Sequence, residues 1–133
     1  MRTKSPGPRL LAAARAAMRH AHAPYSRFRV GAAVLAEDGR VFRGCNVENA
    51  SYGLTICAER AAVFAAVAAG ARRLRAVAVV ASGPKPPYPC GACRQVLAEF
   101  CAPDAAIFVA PGLAGAHAEE FRLDELLPHG FIL

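Results

Sequence analysis

Three cysteines at the starts of two predicted helices constrain the fold of this chain more than any other feature. Cys90 and Cys93 form a Cys-x-x-Cys pair directly after a proline-rich loop, and Cys57 stands at the start of an earlier helix. The Cys-x-x-Cys spacing allows two sulfurs to face one tetrahedral metal ion. If Cys57 supplies a third sulfur, the fold has to bring the N-termini of two helices, distant in sequence, to one point.

The donor set distinguishes between the uses of such cysteines. A redox dithiol has the same Cys-x-x-Cys spacing, but it is expected in a thioredoxin-like βαβ context. Three thiolates leave one position of a tetrahedral zinc open, which is typical of a catalytic site, whereas a structural zinc normally has a fourth protein ligand. Glu59, two residues after Cys57, supplies a free carboxylate beside that position. We therefore predict Zn²⁺ bound by Cys57, Cys90 and Cys93, with Glu59 as the general acid and base.

Arg60 follows the carboxylate and lies three residues after Cys57, on the same helix end. Three thiolates and one Zn²⁺ carry an excess negative charge, which disfavours ionisation of water at the site. A guanidinium that hydrogen-bonds the sulfurs would offset that charge. Position alone leaves two interpretations of Arg60 open: this supporting role, and an ordinary exposed helix arginine.

The order of apolar periodicities predicts a single domain, residues 1–133, with a mixed sheet covered by helices. An Asp-Gly pair predicts a hairpin between the first two strands, and Thr55 is a candidate cap for the helix that carries Cys57. The predicted helices are 9–22, 55–70 and 90–101, the predicted strands are 28–36, 40–47, 74–81 and 105–110, and a weak strand at 119–123 and a helical turn at 124–127 follow.

Charge and hydropathy exclude several classes of protein. The net charge is +6, from 16 Lys and Arg against 10 Asp and Glu. A nucleic-acid surface is not indicated, because the sequence has neither a polybasic run nor an aromatic pair among its basic residues. The longest apolar run, residues 61–71, is too short to span a bilayer. The N-terminus lacks an apolar signal segment; its arginines leave a transit peptide as a minor alternative. We expect a cytoplasmic protein with reduced cysteines, without a membrane partner.

Four segments of the sequence carry a resemblance to a known family. The pattern Cys-x-Glu followed by Pro-Cys-x-x-Cys is the signature of zinc-dependent nucleobase deaminases. The chain closely resembles the small, homotetrameric cytidine deaminases over nearly its whole length. The matching segments are Tyr25-Ser26-Arg27-Phe28-Arg29-Val30-Gly31-Ala32-Ala33, Asn46-Val47-Glu48-Asn49-Ala50-Ser51-Tyr52, Cys57-Ala58-Glu59-Arg60-Ala61-Ala62 and Pro89-Cys90-Gly91-Ala92-Cys93-Arg94-Gln95-Val96.

The resemblance implies the fold and the substrate contacts. It implies an α/β three-layer sandwich with a mixed sheet of about five strands flanked by helices. Phe28 would pack near the pyrimidine, Asn46 and Glu48 would hydrogen-bond the ribose hydroxyls, and Ala58 would offer its backbone to the base. Without the family resemblance, Asn46 and Glu48 would be interpreted as solvent-exposed loop residues that contribute to solubility.

The resemblance also bears on two further residues, favouring the supporting role of Arg60 and assigning one to Phe131. Arg60 would temper the negative charge of the cysteine thiolates. Phe131 matches a C-terminal aromatic that reaches the active site of a neighbouring subunit, although His129 and Gly130 depart from the commonest spacing of that tail. The resemblance thus implies a homotetramer with shared active sites.

The activity implied is zinc-dependent hydrolytic deamination of cytidine and deoxycytidine to uridine and deoxyuridine, with release of ammonia, as in pyrimidine salvage. Glu59 would move protons from water to N3 of cytosine and to the departing amino group. Two alternatives stay open: a deaminase of another cytosine-containing substrate, either a nucleoside antibiotic or a polynucleotide, and a non-catalytic zinc or nucleic-acid-binding module. The open metal position and Glu59 argue against the second alternative.

Overall fold

A computed structural model describes residues 5–133 and shows the predicted alternation of helices and strands. The helices are α1 (Gly7–Met18), α2 (Ala58–Ala68), α3 (Gly91–Phe100) and the short α4 (Leu123–Leu126), with a 3₁₀ turn at Tyr52–Leu54. The strands are β1 (Val30–Ala36), β2 (Val41–Cys45), β3 (Leu74–Ala81), β4 (Cys101–Pro111) and β5 (Glu119–Arg122).

The strands form one five-stranded mixed sheet in the order β2-β1-β3-β4-β5. Strands β3 and β4 are parallel, and the remaining neighbours are antiparallel. Because parallel neighbours need a crossover, the chain between β3 and β4 carries a helix, α3. The predicted mixed sheet is confirmed, and the weak strand at its edge is the fifth member.

Helices cover both faces of the sheet and make three layers. One core lies between α1 and the sheet and includes Leu10, Phe108 and Val80. The other lies between the sheet and α2, α3 and α4, and includes Val63 and Leu97. The layers approach closely because the sequence places small residues where they meet. A Cβ on Gly44 would lie 2.3 Å from the backbone nitrogen of Ala62 in α2.

The first helix ends earlier than the periodicity predicts. Residues 9–22 were the expected span, whereas α1 runs over Gly7–Met18. The cause is tertiary: the backbone N–H of His22 donates to the carbonyl of Asn46 at 3.0 Å, and the N–H of Glu48 donates to the carbonyl of His22 at 2.8 Å. These bonds hold the chain after α1 in an extended form, which a continued helix could not adopt.

The second helix begins later than predicted. Its N-cap is Cys57, in an extended conformation, and its first residue is Ala58. Thr55, the expected cap, instead accepts a hydrogen bond from the backbone N–H of Asn49 at 3.2 Å, and Ile56 pairs with Val47. The hydroxyl of Thr55 therefore stabilises the preceding loop.

The remaining boundaries agree closely with the sequence. Strand β3 has its predicted ends, and α3 and α4 differ from prediction by one residue at each end. Strand β4 is longer than expected, since it begins at Cys101, which was placed at a helix end. The side chain of Cys101 is part of the buried core. Among residues 5–133, every helix is too short or too polar to traverse a lipid bilayer.

Candidate functional site

The fold brings the three cysteines together at the N-termini of α2 and α3. Cys57 is the N-cap of α2 and Cys90 is the N-cap of α3, while Cys93 lies in the first turn of α3 and is fully buried. The sulfur of Cys90 is 3.9 Å from that of Cys57 and 3.5 Å from that of Cys93. No other group of three potential metal ligands occurs within the described part of the chain.

These distances fit a tetrahedral zinc. A Zn–S bond of about 2.3 Å gives sulfur–sulfur separations of roughly 3.8 Å around a tetrahedral ion. The three Sγ atoms all lie within 4.8 Å of one another, and the two separations from Cys90, 3.9 and 3.5 Å, bracket that value. The donor set, its spacing and the free fourth direction are those of a zinc site that keeps one position open.

The electrostatics of the site favour thiolate. Positive ends of two helix dipoles meet at the sulfurs. Hydrogen bonding with Cys93, followed by that from Arg60, lowers the pKa of Cys57 to about 5. Cys93 is the donor in this pair, which raises its own pKa, and burial adds to the rise. The surroundings therefore favour the thiolate of Cys57 over that of Cys93.

Arg60 occupies a half-buried position against the cysteines rather than a solvated helix face. Its Nη2 donates to the Sγ of Cys57 at 3.3 Å. Its Nε is buried and has no hydrogen-bond partner among residues 5–133. A buried guanidinium N–H of this kind costs free energy unless a neighbouring charge compensates it, and the thiolate beside it provides that charge.

Glu59 lies in the first turn of α2 and is only 4% exposed. Burial raises its pKa to about 7, and the negative charge of Cys57 contributes to the rise. A general acid and base works best when its pKa is near the working pH, because both protonation states are then populated. The environment of Glu59 therefore suits a group that takes up and returns protons near neutrality.

A cavity of about 270 Å³ opens beside the cysteines. Seven of the residues predicted for the site line it: Phe28, Asn46, Glu48, Cys57, Ala58, Glu59 and Cys90. The other lining residues are Ser26, Val30, Tyr52, Thr55, Pro87 and Tyr88. Cys93 is buried and does not line the cavity. The cavity wall combines the other two cysteines, the carboxyl group of Glu59 and polar side chains, and a nucleoside would need such a mixture.

Two buried polar side chains form one side of this cavity. Asn46 is 8% exposed and Glu48 is 4% exposed. The Oδ1 of Asn46 accepts from the N–H of Val30 at 2.9 Å, and its Nδ2 donates to the carbonyl of Phe28 at 2.8 Å. The Oε1 of Glu48 accepts from the N–H of Tyr25 at 3.0 Å. Both side chains are thus fixed in place before any ligand arrives.

Sequence reasoning missed Arg94, which supports the site from behind. Its Nε donates to the carbonyl of Pro89 at 2.7 Å, and its Nη1 donates to the carbonyl of Leu126 at 2.8 Å. These bonds anchor the loop that precedes Cys90 to the segment that follows β5. The only indication in the sequence was the position of this arginine, one residue after Cys93 on the helix that begins at Cys90.

Phe131 does not line this cavity. Its side chain is 71% exposed, and its backbone N–H and carbonyl pair with the side-chain amide of Gln95 at 3.2 and 2.9 Å. It lies beside a different depression, with Pro128 and Ile132. Within one chain, Phe131 therefore makes no contact with the predicted substrate pocket, and its assignment depends on a second copy.

Comparisons with known proteins agree with this geometry. Residues 6–110 match the family model described as the cytidine and deoxycytidylate deaminase zinc-binding region. A cytidine deaminase of Halalkalibacterium halodurans is 53% identical over 111 residues, which are 84% of this chain and 83% of that protein. One of Mycobacterium tuberculosis is 49% identical over 84% of this chain and 78% of its own.

Solved structures show the same fold. The crystal structure of cytidine deaminase from Burkholderia pseudomallei aligns with a TM-score of 0.86 at 49% sequence identity. The alignment covers 92% of this chain and 97% of that one. The three-layer arrangement expected from the sequence is therefore an established architecture.

Proposed function

Because this chain belongs to the cytidine and deoxycytidylate deaminase family, we propose that it deaminates cytidine and deoxycytidine by zinc-dependent hydrolysis to uridine and deoxyuridine. Ammonia is the second product. The observation that carries the proposal is the meeting of three cysteine sulfurs and the buried Glu59 at one cavity. A binding module would have no use for a carboxylate with a raised pKa beside an open ligand position.

The protein's own residues divide the chemistry between them. Cys57, Cys90 and Cys93 would hold Zn²⁺, which when bound supplies a Lewis acid that makes water nucleophilic near neutral pH. Glu59 takes the proton released from water and delivers it to N3 of cytosine, which makes C4 more electrophilic. Once the water oxygen has bonded to C4, the same carboxyl group carries the remaining hydroxyl proton to the amino group, which leaves as ammonia while the C4 carbonyl of uridine forms. Because Glu59 is buried, the transferred protons are not exchanged with bulk water.

We propose that Asn46 and Glu48, which line the cavity, bind the sugar. A carboxylate has about four acceptor positions, and Glu48 uses three of them for Tyr25 and Ser26. One acceptor position on Glu48 and one N–H of Asn46 thus stay without a partner among the described residues. Together they suit a hydroxyl that both donates and accepts. Because cytidine and deoxycytidine share the 3′-hydroxyl, this arrangement supports activity on both nucleosides.

Phe28 and Ala58 line the same cavity, and we propose that they contact the base. The ring of Phe28 offers an apolar face to the pyrimidine, and the backbone of Ala58 stands between Cys57 and Glu59, where it can hydrogen-bond the base. A polynucleotide would need a long basic groove with aromatic side chains for stacking. A small cavity of about 270 Å³ is better matched to a free nucleoside.

The direct test is release of ammonia from cytidine by the purified, zinc-loaded protein. Conversion is followed by the change in ultraviolet absorbance as uridine forms. Deoxycytidine should be converted with kcat/KM of the same order, and a cytosine-containing oligonucleotide should stay unchanged. Deamination of the oligonucleotide without deamination of cytidine would assign the site to polynucleotides instead.

We expect Arg60→Gln to retain zinc while activity falls and the pH optimum moves upward. The amide cannot neutralise the charge on the Cys57 sulfur, so more negative charge stays at the site and ionisation of the attacking water becomes harder. Metal analysis and a pH–rate profile test this. An exposed arginine of the described chain, Arg72, which bonds only backbone carbonyls, provides the control variant Arg72→Gln. An unchanged profile for Arg60→Gln would remove the supporting role.

We further propose that the active form is a homotetramer with pockets completed across subunit boundaries. A cavity that encloses a nucleoside usually buries about 70 to 90% of it, whereas this one is open on one side. Apolar side chains exposed near the cavity or at the C-terminus include Phe28, Tyr52, Leu54, Phe131, Ile132 and Leu133. Contact with neighbouring copies would bury these side chains and supply the missing wall.

Deletion of residues 131–133 tests the shared pocket. We expect KM for cytidine to rise more than zinc content changes, with weaker assembly, because the aromatic wall from the neighbour is lost. Analytical ultracentrifugation and steady-state kinetics are the measurements. A parent protein that is fully active as a monomer at working concentration would contradict the shared site.

We also propose that residues 1–133 form one domain that works in the cytoplasm. All strands of the described residues belong to one sheet, which supports a single domain. The five cysteines are free thiols, which a reducing compartment preserves for metal binding.

A further inference from the structure

Ser26 is the centre of a hydrogen-bond network that connects both ends of the nucleoside cavity. Its hydroxyl donates to Oε2 of Glu48 through a short hydrogen bond and accepts from the backbone N–H of Phe28 at 3.0 Å. Its own backbone N–H donates to Oε1 of Glu48 at 3.1 Å. One residue thus contacts the side chain that faces the sugar and the backbone that carries the ring facing the base.

The backbone conformation of the turn around Arg27 allows these hydrogen bonds to Glu48. Arg27 has a φ of 59°, in the left-handed region that costs a non-glycine residue free energy. Its N–H donates to the carbonyl of Ala23 at 3.0 Å, which closes the turn. The turn directs the N–H groups of Tyr25 and Ser26 toward the same oxygen of Glu48. The conformational cost is offset by three hydrogen bonds to one carboxylate.

We propose that Ser26 is a positioning residue that sets the orientation of the Glu48 carboxylate for the ribose hydroxyl and couples it to Phe28. This role rests on the proposed deamination of cytidine. The hydroxyl of Ser26 occupies one of the two acceptor positions on Oε2 of Glu48. The other acceptor position on Oε2 therefore has a defined direction. Without it, the carboxylate keeps its two backbone donors on Oε1 but can rotate about that oxygen.

Two observations support this assignment. Glu48 is nearly buried, so an incompletely hydrogen-bonded carboxylate would be costly there. The hydroxyl of Ser26 is also the largest cause that lowers the pKa of Glu48, which keeps the carboxylate charged as an acceptor. Ser26 itself is exposed, and threonine, which keeps the hydroxyl group and adds one methyl group, is the conservative replacement.

The test compares Ser26→Ala and Ser26→Thr with the parent, using cytidine and 2′,3′-dideoxycytidine, which lacks both ring hydroxyls of the sugar. For Ser26→Ala, we expect kcat/KM with cytidine to fall about tenfold, mainly through KM, since a charge-assisted hydrogen bond is lost. With dideoxycytidine the fall should be less than about twofold, because Glu48 has no hydroxyl to bind. Threonine should restore most of the preference for cytidine.

Ser82→Ala is the matched control. The hydroxyl of Ser82 accepts from the backbone N–H of Arg29 at 3.0 Å, so it supports the same loop, but it does not contact Glu48. This variant should keep the parent ratio of the two substrates. Equal losses on both substrates in Ser26→Ala, or no rescue by threonine, would overturn the positioning role while cytidine deamination by the parent stands. Absence of deamination by the parent would instead overturn the proposed function, and the Ser26 role with it.

Discussion

Glu59→Gln is expected to keep the fold and the bound zinc while kcat with cytidine falls by about three to four orders of magnitude, the range that general acid–base groups contribute. The amide of glutamine matches the carboxyl group in size but cannot take a proton from water or return one to N3. Ground-state contacts with the nucleoside are retained, so substrate binding should survive better than turnover.

Stability provides the control that this variant is folded. Burial raises the pKa of Glu59 to about 7, above its ordinary value of 4.5. A raised carboxyl pKa means that the zinc-free parent loses stability as pH rises through 7, because the folded state resists ionisation. The neutral amide has no such loss. Zinc-free Glu59→Gln should therefore unfold at a temperature at least equal to that of the parent above pH 7.

Metal analysis and single-turnover kinetics complete the test of Glu59. A Glu59→Gln protein that holds zinc and deaminates cytidine within about tenfold of the parent would show that another group moves the protons. Loss of zinc from this variant would instead mean that the carboxylate is a ligand. Both results are distinguishable from misfolding by the thermal control.

Cys90→Ala is expected to lose zinc, activity and stability together. Cys90 caps α3 and lies between the other two sulfurs, so its removal leaves a two-sulfur site across two helices. Because a metal that binds only the folded state adds its binding free energy to folding, the melting temperature should fall by at least about 10 °C relative to the zinc-loaded parent.

The matched control for this experiment is Cys45→Ala. Cys45 is half-buried at the end of β2 and does not belong to the three-sulfur group. Zinc content measured by mass spectrometry should stay near one ion per chain in Cys45→Ala and approach zero in Cys90→Ala. Full zinc in Cys90→Ala would remove Cys90 from the site.

Local patterns predicted the fold well where local forces decide it. Strand β3 could be placed because a continuous apolar run between a helix end and a proline-rich loop has few alternatives. The start of α2 was misplaced by contrast. Thr55 has the right chemistry for a cap, but a tertiary contact with Asn49 uses its hydroxyl, and no local pattern reveals that competition.

The chemical core of the site could be predicted because its spacing is short and specific. Cys57 with Glu59, and Cys90 with Cys93, each lie within one helix turn of each other. The supporting residues are different. Ser26 reaches Glu48 across 22 positions and Arg94 reaches Leu126 across 32, so only the folded arrangement shows these contacts. Serine and arginine are common residue types, and the sequence alone does not show which distant residue such a side chain contacts.

The placement of the sulfurs on two separate helices also makes completion of the site depend on the tertiary fold. Cys90 and Cys93 are neighbours in any state of the chain, but Cys57 joins them across 33 positions, after α2 and β3 have found their places. Such distant contacts form slowly because the intervening chain must first close. We therefore expect the three-sulfur site to be complete only when α2 and α3 are docked on the sheet, whereas an unfolded chain offers an ion the Cys90 and Cys93 pair.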